Sequence, residues 1–246
     1  MACLAQEVTT LPEGKRAERV PQHWMTWRPD HPAFWIHEYI TGTLSLMARP
    51  RAFYETAVLD AAAAEFRVHG FADTSTEQLC EAAGVRRSSL YNTFESKDGL
   101  YLRALERYVE TTGLAQEVVL LDEGLDGMAR LVALMDLLLD EEREAATHGH
   151  AAGCMVVGAR MTPDLGTKSE RVKSLLDRAL EQQLALIEQA VRAGQLDGSI
   201  RKRLPASDAA RTVAALVSGM RVLAQAGSTP DELCQVVMLG LDALRA

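Results

Sequence analysis

This chain is poor in cysteine, and what it has is scattered. Cys3, Cys80, Cys154 and Cys234 are its only four, with no CxxC pair and no zinc-finger spacing among them. That argues against a disulfide framework or a metal site and for reduced thiols in a cytoplasm. Long apolar runs are missing too. Crossing a bilayer takes roughly 20 apolar residues, and the best stretch here, Leu131 to Leu139, is broken by Asp136. Near the N-terminus, Glu7, Glu13 and Glu18 interrupt any signal-peptide core. Positive charge is in deficit, at a net −8, so a nucleic-acid partner would need cations concentrated on one face. No acid–base pair stands at a spacing used in catalysis, so neither an enzyme nor a cofactor is expected.

What is present is concentrated between Leu79 and Phe94, which read Leu-Cys-Glu-Ala-Ala-Gly-Val-Arg-Arg-Ser-Ser-Leu-Tyr-Asn-Thr-Phe. Ser75 can cap a helix and Gln78, three residues on, can close a capping box. Cys80, Ala82 and Ala83 are small enough for a second helix to approach. Gly84 falls where a helix end needs a left-handed residue. Leu79, Val85 and Leu90 have the spacing of a small shared core. Arg87, Ser88, Ser89, Tyr91, Asn92 and Thr93 then supply the cations and short hydrogen-bonding groups that touch phosphates and base edges. Between Gly84 and Lys97 there are three cations (Arg86, Arg87, Lys97) against one anion, Glu95, so this face is locally positive. The pattern predicts a helix-turn-helix.

Its surroundings extend the pattern. Upstream, Phe53, Ala57, Ala61, Ala64 and Phe66 predict a helix ending at His69-Gly70-Phe71; downstream, Ser96 caps another. Taken in order, Ala-Ala-Ala-Glu-Phe before Gly70-Phe71, Thr74-Ser75, Ala82-Ala83-Gly84-Val85, Leu90-Tyr91, Phe94 and Ser96-Lys97 closely resemble the DNA-binding domain of TetR (tetracycline-repressor-like) transcriptional regulators. One departure is Arg86, where that family usually places a capping Ser or Thr; an arginine there points to phosphate contact instead. The resemblance implies an all-α fold: an N-terminal three-helix helix-turn-helix domain, then a helical domain that binds an effector and dimerises. It also implies Tyr91 and Lys97 as phosphate contacts, and a cytoplasmic homodimer that represses from a palindromic double-stranded DNA operator. The full set expected at DNA is Thr76, Arg86, Arg87, Ser88, Ser89, Tyr91, Asn92 and Lys97.

Three regions follow. Residues 1–46 hold all three tryptophans and several prolines without helical period, and read as a disordered extension or a mis-assigned start before Met47. Residues 47–108 form the DNA-binding domain and 109–246 the effector and dimerisation domain. In the latter, Leu125 to Glu142 is apolar on one side. A Gly-rich loop leads to a short segment, Cys154 to Met161, ended by Pro163. Ser169 to Arg192 is amphipathic and stops at a glycine cap, Ala193-Gly194. Pro205 opens another helix, and Thr229-Pro-Asp-Glu is a complete start signal for the last.

The resemblance implies that the last two helices pair with their twofold mates. The stripe Val213, Val217, Met220 with Leu233, Val237 and Leu241 fits that seam, although it would serve an intramolecular core equally well. An effector pocket is expected from Met128, Val132, Met135, Cys154 and Met155, apolar and adaptable, suited to an apolar or weakly polar small molecule and not to sugar phosphates or nucleotides. Asp136 is either a polar contact to that ligand or a solvated edge. Some relatives carry a reactive thiol at the place of Cys154, so a redox or electrophile sensor of the same fold is the alternative. An all-α enzyme built on Cys154 with His148 or His150 leaves the Leu79–Phe94 segment unexplained, and those three residues follow no metal-ligand spacing.

Overall fold

A computed structural model describes residues 51–162 and 170–246. Among them are nine helices and no strand, only an isolated bridge between Ile200 and Arg245. The helices are α1 (Arg51–Asp73), α2 (Thr76–Ala82), α3 (Arg87–Phe94), α4 (Lys97–Leu120), α5 (Gly127–Thr147), α6 (Met155–Met161), α7 (Glu170–Asp197), α8 (Ala206–Gln225) and α9 (Pro230–Asp242). The all-α reading holds. The expectations for residues 1–46 and Pro163 lie outside the described residues. No described helix is long and apolar enough to cross a membrane.

Two apolar cores organise the chain. The first packs α1 to the first half of α4, with Val58, Phe66, Leu79, Leu90, Leu100 and Leu105 at its centre. The second gathers α5, the end of α7, α8 and α9 around Leu131, Met135, Ile187, Val213 and Val237. Helix α4 runs through both, burying Tyr101 and Tyr108 in the first and Leu120 in the second. The first core also takes in Met155, Ala159, Val172 and Leu176, so α6 and the start of α7 sit against the N-terminal helices.

Local structure follows the residues closely at several ends. Ser75 and Gln78 make the expected capping box on α2, Ser96 accepts the Gly99 N–H, and Thr229 with Glu232 forms a second box on α9. Three expectations need correcting. The buried side of α1 is Val58, Leu59, Ala62, Ala63 and Phe66, one residue out of step with the predicted stripe; Ala57 and Ala64 face solvent. An alanine-rich helix leaves the register to its larger neighbours. Helix α1 does break at Gly70 (φ 76°) but resumes to Asp73.

Helix α7 does not stop at Gly194 but continues to Asp197. Gly194 is buried because α5 begins on top of it: a β-carbon on Gly127 would lie 2.1 Å from the Gly194 nitrogen. The extra turn has a use. Asp197 accepts the Gly127 N–H at 2.8 Å and Ser199 accepts the Met128 N–H at 3.1 Å, filling two of the open donors at the start of α5.

The third correction concerns the last two helices. Val213, Val217, Met220, Leu233, Val237 and Leu241 are all buried in the monomer's own core, at 8% exposure or less. A second copy cannot reach them. The stripe served the intramolecular packing of α8 and α9 on α5 and α7, and the outward faces carry Ala215, Gly219, Val222, Val236 and Leu239 instead.

One polar group inside these cores had no sequence signal. Arg221 of α8 is buried and donates to Glu142 Oε1 at 2.5 Å and to Glu141 Oε2 at 2.6 Å. Arg67 of α1 donates to that same Glu141 oxygen at 3.0 Å and lies over the Tyr108 ring. The second Glu142 oxygen accepts the Ala152 N–H. Burial alone pulls the Arg221 pKa down, but the two carboxylates outweigh it and raise it. Two cations and two anions therefore tie α1 to α5 and α8.

Candidate nucleic-acid interface

Helices α2 and α3 meet through a turn whose geometry the sequence dictates. Gly84 adopts φ 63°, which a side chain would strain. Leu79 and Leu90 are buried between the helices, with Val85 packed against them. Arg86 stands at the head of α3 in extended conformation and offers no capping hydrogen bond, as its side chain requires. Phe94 closes the inner face, so α3 is pinned by Leu90 and Phe94 while its other face is open.

On that open face Arg86, Arg87, Ser88, Ser89 and Asn92 are exposed. Tyr91 and Thr76 are half-buried and share a hydrogen bond, Oγ1 to OH, at 3.3 Å. That bond, and then the Arg87 guanidinium beside the ring, lower the Tyr91 pKa. Arg87 also donates to Glu77 at 2.6 Å. An exposed pair of this kind is worth about 0–1 kcal/mol, so a phosphate or guanine can displace it. Lys97 reaches back to the Ala72 carbonyl at 3.4 Å and sits over the Phe71 ring, at the end of α1. The structure thus brings Thr76, Arg87 and Tyr91 together, leaves Arg86, Ser88, Ser89 and Asn92 as separate exposed groups, and places Lys97 at the margin. Glu77 is the member that sequence reasoning missed; its place on the first turn of α2 facing α3 is a tertiary fact.

The groups expected to line an effector pocket divide between the two cores. Met128, Val132 and Met135 pack in the second, Cys154 and Met155 in the first. None of them lines a cavity of about 450 Å³ that opens between α1, the end of α5 and the α8–α9 corner. Asp136 is half-buried, and its Oδ1 is buried with no hydrogen-bond partner among the described residues. Burial, then Asp140, raises its pKa to about 6. The unfolded chain ionises near pH 3.9, so this group loses stability for the fold as pH rises between those values. Asp136→Asn should leave the melting temperature unchanged at about pH 4 and raise stability on the order of 1 kcal/mol at about pH 7, allowing for partial solvent exposure. Thermal melts at both pH values check it; equal effects at both would locate the cost elsewhere.

A capped helix, a left-handed glycine turn and a second helix with an open polar face define a helix-turn-helix DNA-binding protein. Residues 58–104 match the family "Bacterial regulatory proteins, tetR family", and 127–237 match "Tetracyclin repressor-like, C-terminal domain". Together these span more than half of the chain, which belongs to the TetR family of DNA-binding transcriptional regulators. It is 28% identical over 193 residues to the HTH-type transcriptional repressor ComR of Escherichia coli (strain K12), covering 76% of this chain and 87% of that one. It is 33% identical over 109 residues to the repressor BdcR of the same organism, covering 44% and 53%. A cysteine mutant of the TetR family regulator CifR, solved with 26-bp double-strand operator DNA, superimposes with a TM-score of 0.64 at 26% identity, covering 82% of this chain and all of that one.

Proposed function

We propose that this protein is a repressor that binds a palindromic operator as a homodimer and is released from it by a small, apolar or weakly polar molecule. The observation that carries the reading is the open face of α3, held by Leu90 and Phe94, with Arg87, Tyr91 and Thr76 already gathered on it. ComR and BdcR are both described as repressors, and CifR was solved on operator DNA. In this reading the head, residues 47–108, reads DNA, while 109–246 dimerises and receives the effector. Arg87 and Asn92 are the groups suited to guanine and adenine edges; Arg86, Tyr91 and Lys97 are suited to phosphates.

The outward faces of α8 and α9 support the dimer. Val222, Val236 and Leu239 are 49%, 42% and 77% exposed, and Gly219 between them has open space above it. Paired with the same faces of a second copy, they would make a four-helix seam. Two recognition helices then engage together only when they sit one helical turn apart, ~34–36 Å. An effector that prefers a wider-spaced state removes the protein from DNA by as much as its affinities for the two states differ. A thiol trigger acting through Cys154 is the second reading, favoured by its place in the head core beside α1 and α4. Operator affinity unchanged by alkylation of Cys154 would remove it.

Tyr91→Phe and Lys97→Ala each test the contact face. Each should weaken binding across all DNA sequences, and Lys97→Ala should also lower the salt slope by about one, the signature of a lost cation–phosphate contact, while Tyr91→Phe, which removes no charge, should leave the slope nearly unchanged. Far-UV circular dichroism should stay the same. Titrations at several salt concentrations that overlay with wild type would move the DNA face elsewhere.

A further inference from the structure

The cavity of about 450 Å³ lies at the junction of head and body, and its size falls within the roughly 300–1,000 Å³ of small-molecule sites. Val68, one residue from Arg67 on α1, forms one wall; Glu142 and Ala146 at the end of α5 form another; Gln225 and Ser228 at the α8–α9 corner form the third. Its chemistry is specific. Glu142 is the carboxylate in the lining, and both of its oxygens are taken, by Arg221 and by the Ala152 N–H. A cation entering here meets no free counter-charge, and an anion meets only the exposed imidazole of His150, whose Nδ1 donates to the Ala151 carbonyl; an exposed pair of that kind returns little of the desolvation cost. The side chains of Gln225 and Ser228 make no hydrogen bond to any described residue, so an amide and a hydroxyl face the space unused. Alanines, Val68 and Leu233 supply the apolar remainder.

We propose that this cleft is the effector site, that it takes an uncharged molecule with a compact apolar body and one or two hydrogen-bonding groups, and that the ion pairs in its wall carry the signal. The inference rests on the ligand-responsive reading above. From the cleft the connection is short: Glu142 holds Arg221, Arg221 holds Glu141, and Glu141 holds Arg67 on α1. Buried ion pairs tolerate little change of geometry, because half-broken they leave a stranded charge. A molecule that moves Val68 away from α5 therefore also moves Arg67 from Glu141, and the head changes its seat on the body as a unit.

The test uses the full-length protein with an operator obtained by selection from random duplexes. The probes are benzyl alcohol, cyclohexanol and benzamide, with benzoate and benzylamine as charged counterparts. Saturation-transfer NMR should show the uncharged probes bound, and the charged ones not. Ala146→Phe, which fills the mouth from an exposed position, should weaken that binding by about tenfold or more. Uncharged probes should weaken operator binding in wild type. Glu141→Gln, and Arg67→Gln if the first folds poorly, should keep probe binding and lose its effect on the operator. Binding that survives Ala146→Phe, charged probes that bind equally well, or no probe binding at all would overturn the site. Operator release that persists in Ala146→Phe would overturn this cleft while leaving the ligand-responsive reading intact. Cleft binding with no effect on the operator would overturn the coupling and that reading with it.

Discussion

Arg221→Ala is expected to lower the melting temperature by roughly 10 °C. Removing the guanidinium leaves Glu142, itself only 2% exposed, and the nearby Glu141 without their main counter-charge. Stranding a buried charge costs about 3–5 kcal/mol, and in a chain of this size each kcal/mol moves the midpoint by about 2–4 °C. Replacing the pair is a different matter. Arg221→Met with Glu142→Gln should recover most of the loss, because glutamine keeps an oxygen for the Ala152 N–H, the buried Glu142 charge is gone, and Glu141 keeps Arg67 as its counter-charge. Removing the exposed Arg192–Glu188 pair should change stability by under about 1 kcal/mol. Calorimetry on the three variants decides the matter. A melting temperature for Arg221→Ala within 2 or 3 °C of wild type, say about 2 °C, would mean that the buried pairs contribute nothing net.

Val222→Glu and Leu239→Glu should separate the dimer without unfolding the chain. Both side chains face outward, and a charge on either costs the monomer little. In the proposed seam, two copies would bring two such charges face to face with no partner. A separated head binds one half-site alone and forgoes the gain from linkage, so operator affinity should fall by about 10²–10⁴-fold. Light scattering and an operator titration on the same samples test this together. Val217→Glu is the contrast: at 8% exposure it should unfold the body instead. Dimers that persist at micromolar concentration in both outward variants would place the interface on another surface.

That contrast shows where the sequence was legible. The turn at Gly84, the caps at Ser75, Ser96 and Thr229 and the uncapped Arg86 were readable because each depends on residues within four positions. The stripe through Val213, Val217 and Val237 was readable as buried, but periodicity cannot say whether the cover comes from the same chain or another. Gly194 was misread because a helix-ending glycine and a glycine under a crossing helix look alike until Gly127 is known to sit on it. Arg221 was invisible for the same reason: its partners lie 79 and 80 positions away. The helix-turn-helix with its open α3 face was local, and so legible; the residues expected to line a pocket divide between two cores, which no local pattern reveals.

The scarcity of cations has a consequence for search along a genome. A protein that is −8 overall gains no general attraction to DNA from its net charge. The patch around Arg86, Arg87 and Lys97 is locally positive, and Arg87 is occupied by Glu77 until something better arrives. Random sequence therefore holds this protein weakly and in one orientation. Its residence on incorrect sites should be brief, and its discrimination should come from what is gained at the right site more than from a general grip on the duplex.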